Sequence, residues 1–402
     1  MFKKQIMTNS SIRVLVILLT VSNISYAQNT GNKIVIGTID SIYSNILKEK
    51  RNVWVYVPNG DGKNQRFPVL YLLDAEDHFH SAVGIVKQLS GVLPDMIIVG
   101  ITNTIRNRDL TPTHVESNQN SGGGENFMRF IEKELMPHID SLYPSSSYRL
   151  FSGHSLGGLT VVNAFVNHTN LFNAYIALDP SLWWDKQQLI ADAKKVLAAG
   201  NFENKSLFIA IANNMPAGMD TISVQKDTTN NTMLTRAVLK LVGTLKETEH
   251  RGLRWNYKFY PNERHGTVEL MAEYDALRFL FDYYRFSTKL FEANPNMNID
   301  SFVNAHFKTV SKNIGYPVLP SEDLINNLAY TCMAMHKIDK AYAFFKMNIE
   351  NNPSSSNAYD SMGDFYSETG DMNKAIENYE QSLRLSETAD TRRKLNEVKA
   401  KK

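Results

Sequence analysis

A serine set among glycines is a candidate nucleophile when the chain around it passes from strand to helix. Arg149–Phe165, RLFSGHSLGGLTVVNAF, has that character. The apolar run ahead of Gly153 reads as a buried strand, and the apolar spacing after Leu156 is helical. Ser155 at the junction would need a strained backbone in a sharp turn, which only minimal neighbours such as Gly153, Gly157 and Gly158 permit. A helix opening at Leu156 aims its first N–H and its dipole at an oxyanion formed on a carbonyl attacked by Ser155. The competing reading is a glycine-rich tight turn with a spectator serine.

Such a hydroxyl needs a base, placed late in the chain after the last core strand. His265, in YKFYPNERHGTVEL, has that position, and it alone of ten histidines does. His154, next to the serine, must point elsewhere; it lines the pocket or supports the elbow. His78, His80 and His114 fall in loops that could reach the same face. A second oxyanion donor is expected after the first central strand, in LLDAEDHF, from the backbone N–H of Ala75 or Glu76.

Positioning these groups requires a sheet edge. Strand-like runs occur within Ile34–Pro58 and at Pro68–Asp74, Asp95–Thr102, Tyr148–Gly153, Ala174–Asp179, Ser206–Ala212 and Arg254–Pro261. The middle ones are continuously apolar, as in strands covered on both faces. Helix-length amphipathic segments alternate with them: His78–Leu89, Glu125–Leu142, Leu156–His168, Lys186–Ala198, Met233–Glu249 and Val268–Tyr284. The alternation predicts an α/β layered sheet, mostly parallel with an antiparallel start. No strand-like run follows Phe286. There a shift of 34 residues lays Ala329, Cys332, Ala341 and Phe345 on Gly363, Tyr366, Ala375 and Tyr379, a period that resembles the tetratricopeptide repeat. Two repeats are too few to stand alone and are expected to pack on the preceding domain. The expected organisation is a signal peptide at 1–27, an α/β domain at 28–290, a linker and helical region at 291–322, and repeats at 323–392.

The signal peptide is read from Lys3, Lys4 and Arg13, the apolar run VLVILLTV and a small-residue cleavage site ending at Ala27. A retained membrane anchor is the alternative, although the run is short for a bilayer. The expectation is export to the periplasm or beyond the cell. Removing this segment takes three positive charges and no acids, so the net charge moves from +2 to −1. A near-neutral protein offers no electrostatic case for nucleic acid or anionic lipid. The one cysteine, Cys332, cannot form an internal disulfide and reads as buried filler. No zinc-type Cys/His spacing, H-E-x-x-H or phosphate loop is present, so no metal or nucleotide dependence is expected.

VLYLLDAEDHF, NRDLTPTH, SGHSLGGL, DPSLWWD and YPNERHGTV, in this order, resemble the "Putative esterase" family of α/β-hydrolases, which includes esterase D, feruloyl and siderophore esterases and mycolyltransferases. The resemblance covers approximately 34–286. It implies an α/β-hydrolase sandwich, acyl transfer from an ester to water through a serine acyl-enzyme, no cofactor, Ser155 as nucleophile and His265 as base. It leaves the acid open. The family's usual place follows the strand SLFIAIA, where this chain has Asn213 and Asn214, with Asp220 and Asp227 beyond. Asp179, at the preceding strand end, is a second option, and a Ser–His dyad, as in the siderophore esterases, a third. Trp183 and Trp184 either stack on substrate or roof the core. Arg106 and Arg108 either meet an anionic substrate group or pair with a local acid such as Asp109. Hydrolysis of a small-molecule or carbohydrate-linked ester is favoured. Acyl transfer to an alcohol by the same residues, and a non-catalytic scaffold whose repeats bind a peptide, are the alternatives.

Overall fold

The computed structural model describes residues 34–58, 65–287, 289 and 297–401. The proposed signal peptide lies outside them. Among the described residues no helix is long and apolar enough to cross a membrane.

Eight strands form one sheet: β1 Thr38–Ser44, β2 Glu49–Tyr56, β3 Phe67–Leu73, β4 Ile97–Ile101, β5 Ser145–His154, β6 Ala174–Leu178, β7 Ser206–Ala212 and β8 Arg254–Tyr260. Their order is β1-β2-β4-β3-β5-β6-β7-β8. β1, β2 and β4 pair antiparallel, and every pair from β4 to β8 is parallel. β3, β4, β6 and β7 are buried at every position, the consequence of helices on both faces. β8, at the open edge, is buried only at Tyr260.

The helices of this layer are α1 Ala75–Gln88, α2 Gly124–Leu142, α3 Leu156–Asn167, α4 Gln188–Ala199, α5 Met233–Glu247 and α6 Glu269–Leu280. α2 widens to π geometry over Ile131–Leu135. Pro137 cannot donate to the Lys133 carbonyl, which accounts for the slip in the ladder there. α4 starts two residues later than its apolar spacing suggests, because Asp185, Lys186 and Gln187 all have left-handed backbone, with φ of 44°, 55° and 68°.

Among the described residues six further helices follow: α7 Ile299–Ile314, α8 Glu322–Ala334, α9 Ile338–Asn351, α10 Ser356–Thr369, α11 Met372–Leu385 and α12 Ala389–Lys401. α8 to α11 are the two repeats. Their small residues sit where helices cross: a Cβ on Gly363 would come 2.5 Å from the Tyr379 ring. Cys332 is buried in the core that α7 to α10 share. Phe286 stacks on Phe302 and Phe307 of α7, and His306 Nε2 lies 3.1 Å from the Tyr284 carbonyl, joining the helical layer to the end of the α/β layer.

Candidate active site

Parallel strands bring the ends of β3, β5, β6 and β7 to one rim. Leu72 pairs with Ser152, His154 with Leu178 and Leu178 with Ala210, so loops far apart in sequence leave the sheet side by side. Ser155 has φ 59° and ψ −115°, a strained backbone for a residue with a side chain. The strain is held by the Ser155 N–H donating to the Leu178 carbonyl at 3.0 Å and the Ser181 N–H donating to the Ser155 carbonyl at 2.9 Å. A Cβ on Gly153 would meet the Gly157 backbone at 2.6 Å, which is why the elbow needs glycine there. Leu156 begins α3, and Ala75 and Glu76 begin α1 on the adjacent strand end, so unpaired first-turn N–H groups of two helices open on the same rim.

His265 lies in the turn after β8. Its Nε2 is 3.0 Å from Ser155 Oγ and its Nδ1 2.7 Å from Asp179 Oδ2. Asp179 follows β6 with φ 41° and is fully buried. Its Oδ1 accepts from the Ala212 N–H at 3.0 Å, and its Oδ2 accepts from Asn214 Nδ2 at 2.9 Å. The Asn214 Oδ1 accepts the His265 backbone N–H at 2.9 Å. A carboxylate so supplied with donors stays an acceptor, which assigns the proton of His265 to Nδ1 and leaves Nε2 to take the Ser155 proton. With that proton committed, Ser155 Oγ accepts from the Ser181 hydroxyl, 3.2 Å away.

The other carboxylates considered for the acid lie elsewhere. Asp220 binds the N–H groups of Ile222 and Ser223 in its own turn, and Asp227 is bonded by Thr229 and Thr232. Both are held below the usual carboxylate range by local hydrogen bonds, from the Ser223 hydroxyl foremost at Asp220 and from the Thr229 hydroxyl at Asp227. The chain does not form a bare Ser–His dyad.

Two substrate contacts expected from the sequence are corrected. Arg108 does not face the cleft: its Nη2 binds Glu49 Oε1 at 2.6 Å and its Nε binds Asp109 Oδ1 at 2.7 Å. Those two carboxylates also hold the buried Arg51, so the arginine completes a network between β2 and the helical turn at Arg106–Asp109. The Arg108 hydrogen bond, with help from Arg51, holds the Glu49 carboxyl below its ordinary range. Trp184 is buried, and its indole N–H donates to Thr113, tying the loop after β6 to the loop after β4. Trp183 packs against the same core at its margin. Arg106 reaches the cleft, but it is committed to Asp74 through two hydrogen bonds of 2.7 and 2.8 Å.

The cleft beside the elbow has a volume of about 530 Å³; its walls include Asp74, Asp77, His78, Arg106, His154 and Glu269. His154 turns to Glu269, with Nδ1 3.0 Å from Oε1. Burial pushes the Glu269 carboxyl up, but the hydrogen bond from His154 outweighs it and the carboxyl is held below its ordinary value. Sequence reasoning missed Ser181, Asn214 and Glu269. Asn214 was considered only as a position lacking an acid, and its amide bridges the acid and the base.

Three comparisons bear on this arrangement. The sequence signature described as "Putative esterase" matches residues 44–240, and that of the tetratricopeptide repeat matches 356–388. The esterase match falls within the α/β layer, and the repeat match falls in the helical layer behind it. The chain is 29% identical over 185 residues to the ferri-bacillibactin esterase BesA of Bacillus subtilis, covering 40% of this chain and 64% of that protein, which is less than two thirds of its length. It is 27% identical over 236 residues to the apo-salmochelin esterase of Escherichia coli, covering 54% of this chain and 70% of that one. An IroE-like serine hydrolase from Shewanella oneidensis superposes with a TM-score of 0.67 at 29% identity, over 78% of this chain and 99% of that one.

Proposed function

We propose that the protein is an exported serine hydrolase that cleaves carboxylic esters through an acyl-enzyme on Ser155. The observation that carries this reading is the continuous hydrogen-bonded series from Ser155 through His265 to Asp179, at 3.0 and 2.7 Å. As Ser155 Oγ attacks the ester carbonyl, its proton passes to His265 Nε2, and Asp179 stabilises the imidazolium. The oxyanion collects N–H donors from Leu156 and from the start of α1 at Ala75 and Glu76. Collapse breaks the C–O bond, and the alcohol leaves with the proton from His265. A water then attacks the acyl-enzyme with His265 as base and releases the acid. The His265 side chain is 35% exposed, which gives that water a route and supports hydrolysis over transfer to an alcohol.

The names of the relatives favour a siderophore ester as the substrate class. Charge narrows it: Asp74, Asp77 and Glu269 stand against one arginine already paired with Asp74. Such a wall suits an uncharged or cationic ester better than a multiply anionic iron complex. Export rests on the sequence before Ala27.

The test is fluorophosphonate labelling with p-nitrophenyl acetate and butyrate turnover, for wild type and Ser155→Ala. Labelling and turnover in the wild type, with both lost in the variant, are expected. A wild-type protein that does neither would mean the α/β layer is a scaffold. A panel of neutral and iron-loaded anionic siderophore esters then tests the charge argument, with faster cleavage of the neutral ones expected.

A further inference from the structure

His154 has no part in the acyl transfer just described, yet its surroundings are built. Its side chain is nine-tenths buried, and Nε2 is buried without a hydrogen-bond partner among the described residues. Glu269 can only accept, so the Nδ1–H of His154 points at it and Nε2 presents a lone pair. His78 of α1 supplies a second imidazole, its ring centroid 6.0 Å from that of His154. One nitrogen of each ring and a carboxylate oxygen of Glu269 all lie within 4.8 Å of one another. The three border a void of about 10 Å³ together with Glu273, whose Oε1 is also buried and unpartnered. Two buried polar atoms beside a space for one small particle are thus without a partner.

We propose that His78, His154 and Glu269 bind a divalent transition-metal ion of the zinc type, and that the bound ion slows ester hydrolysis. Two imidazoles and a carboxylate, with a fourth position open to the cleft, are a donor set that zinc accepts. The Glu269 oxygen and His154 Nδ1, 3.0 Å apart, already stand near the spacing of two ligands, and the ion takes the place of the proton between them. Ligand atoms around zinc stand about 3.3 Å apart, given bonds of about 2.0–2.1 Å, so atoms now within 4.8 Å have to close by up to about 1.5 Å, a movement that falls to His78, half-buried at the cleft edge. The ring centroids of His154 and His265 are 4.4 Å apart. A dication held by His154 therefore opposes the positive charge that His265 gains during acylation.

The binding half stands on the cluster alone; the inhibitory half rests on the esterase reading. Calorimetric titration of the chelator-stripped mature chain with zinc chloride should show one equivalent bound. His78→Ala and Glu269→Gln should each weaken it by about tenfold or more, and His80→Ala should leave it unchanged. Cobalt(II) should give the visible absorption of a tetrahedral site in wild type and lose it in His78→Ala. The p-nitrophenyl acetate rate should fall about tenfold or more on adding zinc, recover with chelator, and keep a with-to-without ratio near one in His78→Ala. Ser155→Ala, without turnover, should still bind zinc, so failure of the esterase reading and failure of the site are separable. Absence of binding, or binding unchanged in both ligand variants, overturns the site. Stoichiometric binding without a rate change overturns the inhibitory role.

Discussion

Asp179 meets five constraints at once: burial, a left-handed backbone, and hydrogen bonds from Ala212, Asn214 and His265. Its carboxylate orients one imidazole and is itself held by the Ala212 and Asn214 donors. Asp179→Asn should therefore lower kcat on p-nitrophenyl acetate by about 10³–10⁴-fold, whereas Asp220→Asn should leave it within a factor of two or so. Glu273 is the residue with the opposite electrostatics. Burial pushes its carboxyl up to about 7, against a weaker opposing hydrogen bond from the Ser152 hydroxyl. An acid raised in this way keeps its proton in the fold after the unfolded chain has released it. Stability contributed by the neutral form is present below the ordinary glutamate value of 4.5 and falls as pH rises toward 7. Glu273→Gln should be close to neutral at pH 4.5 and stabilising by about 3 kcal/mol at pH 8, read as the shift in urea midpoint with chelator present.

At the scale of elements, the rim works because each loop is tied to another. The network of Arg51, Glu49, Arg108 and Asp109 fixes the helical turn after β4 to β2, and Trp184 fixes the loop after β6 to Thr113. Arg51 is only 1% exposed, and Asp109 is its shortest charged contact at 2.5 Å. Removing that carboxylate leaves a buried guanidinium under-compensated, so Asp109→Asn should cost about 3 kcal/mol in urea unfolding. The elbow makes a similar demand on backbone alone. Gly153→Ala pushes a methyl into the Gly157 backbone and should abolish fluorophosphonate labelling even where the protein remains folded.

The whole molecule has separate apolar cores, one spanning the sheet and its helices and one shared by α7 to α10. Separate cores predict separable transitions. Gly363→Ala would press a methyl on the Tyr379 ring, at a cost of about 1–3 kcal/mol. Circular dichroism in urea should show the helical layer melting earlier in that variant. Hydrolysis of p-nitrophenyl acetate at low urea should be unchanged, because the residue lies far along the chain from the rim.

Local chemistry made much of this legible from the residues in order. Continuous apolar runs mark β3, β6 and β7; glycines around Ser155 mark the elbow; a histidine after the last strand marks the imidazole that meets Ser155; a 34-residue period marks the repeats. Each is a property of a few neighbouring residues, or of a regular spacing, and such signals survive in one dimension. The choice of Asp179 over Asp220, the bridging role of Asn214, the commitment of Arg108 to Glu49, the burial of Trp184 and the meeting of His78, His154 and Glu269 are not of that kind. Each depends on which strand ends stand side by side in the sheet and on which charge reaches a partner first. Only the packed parallel sheet, bringing loops from across the chain to one rim, decides that.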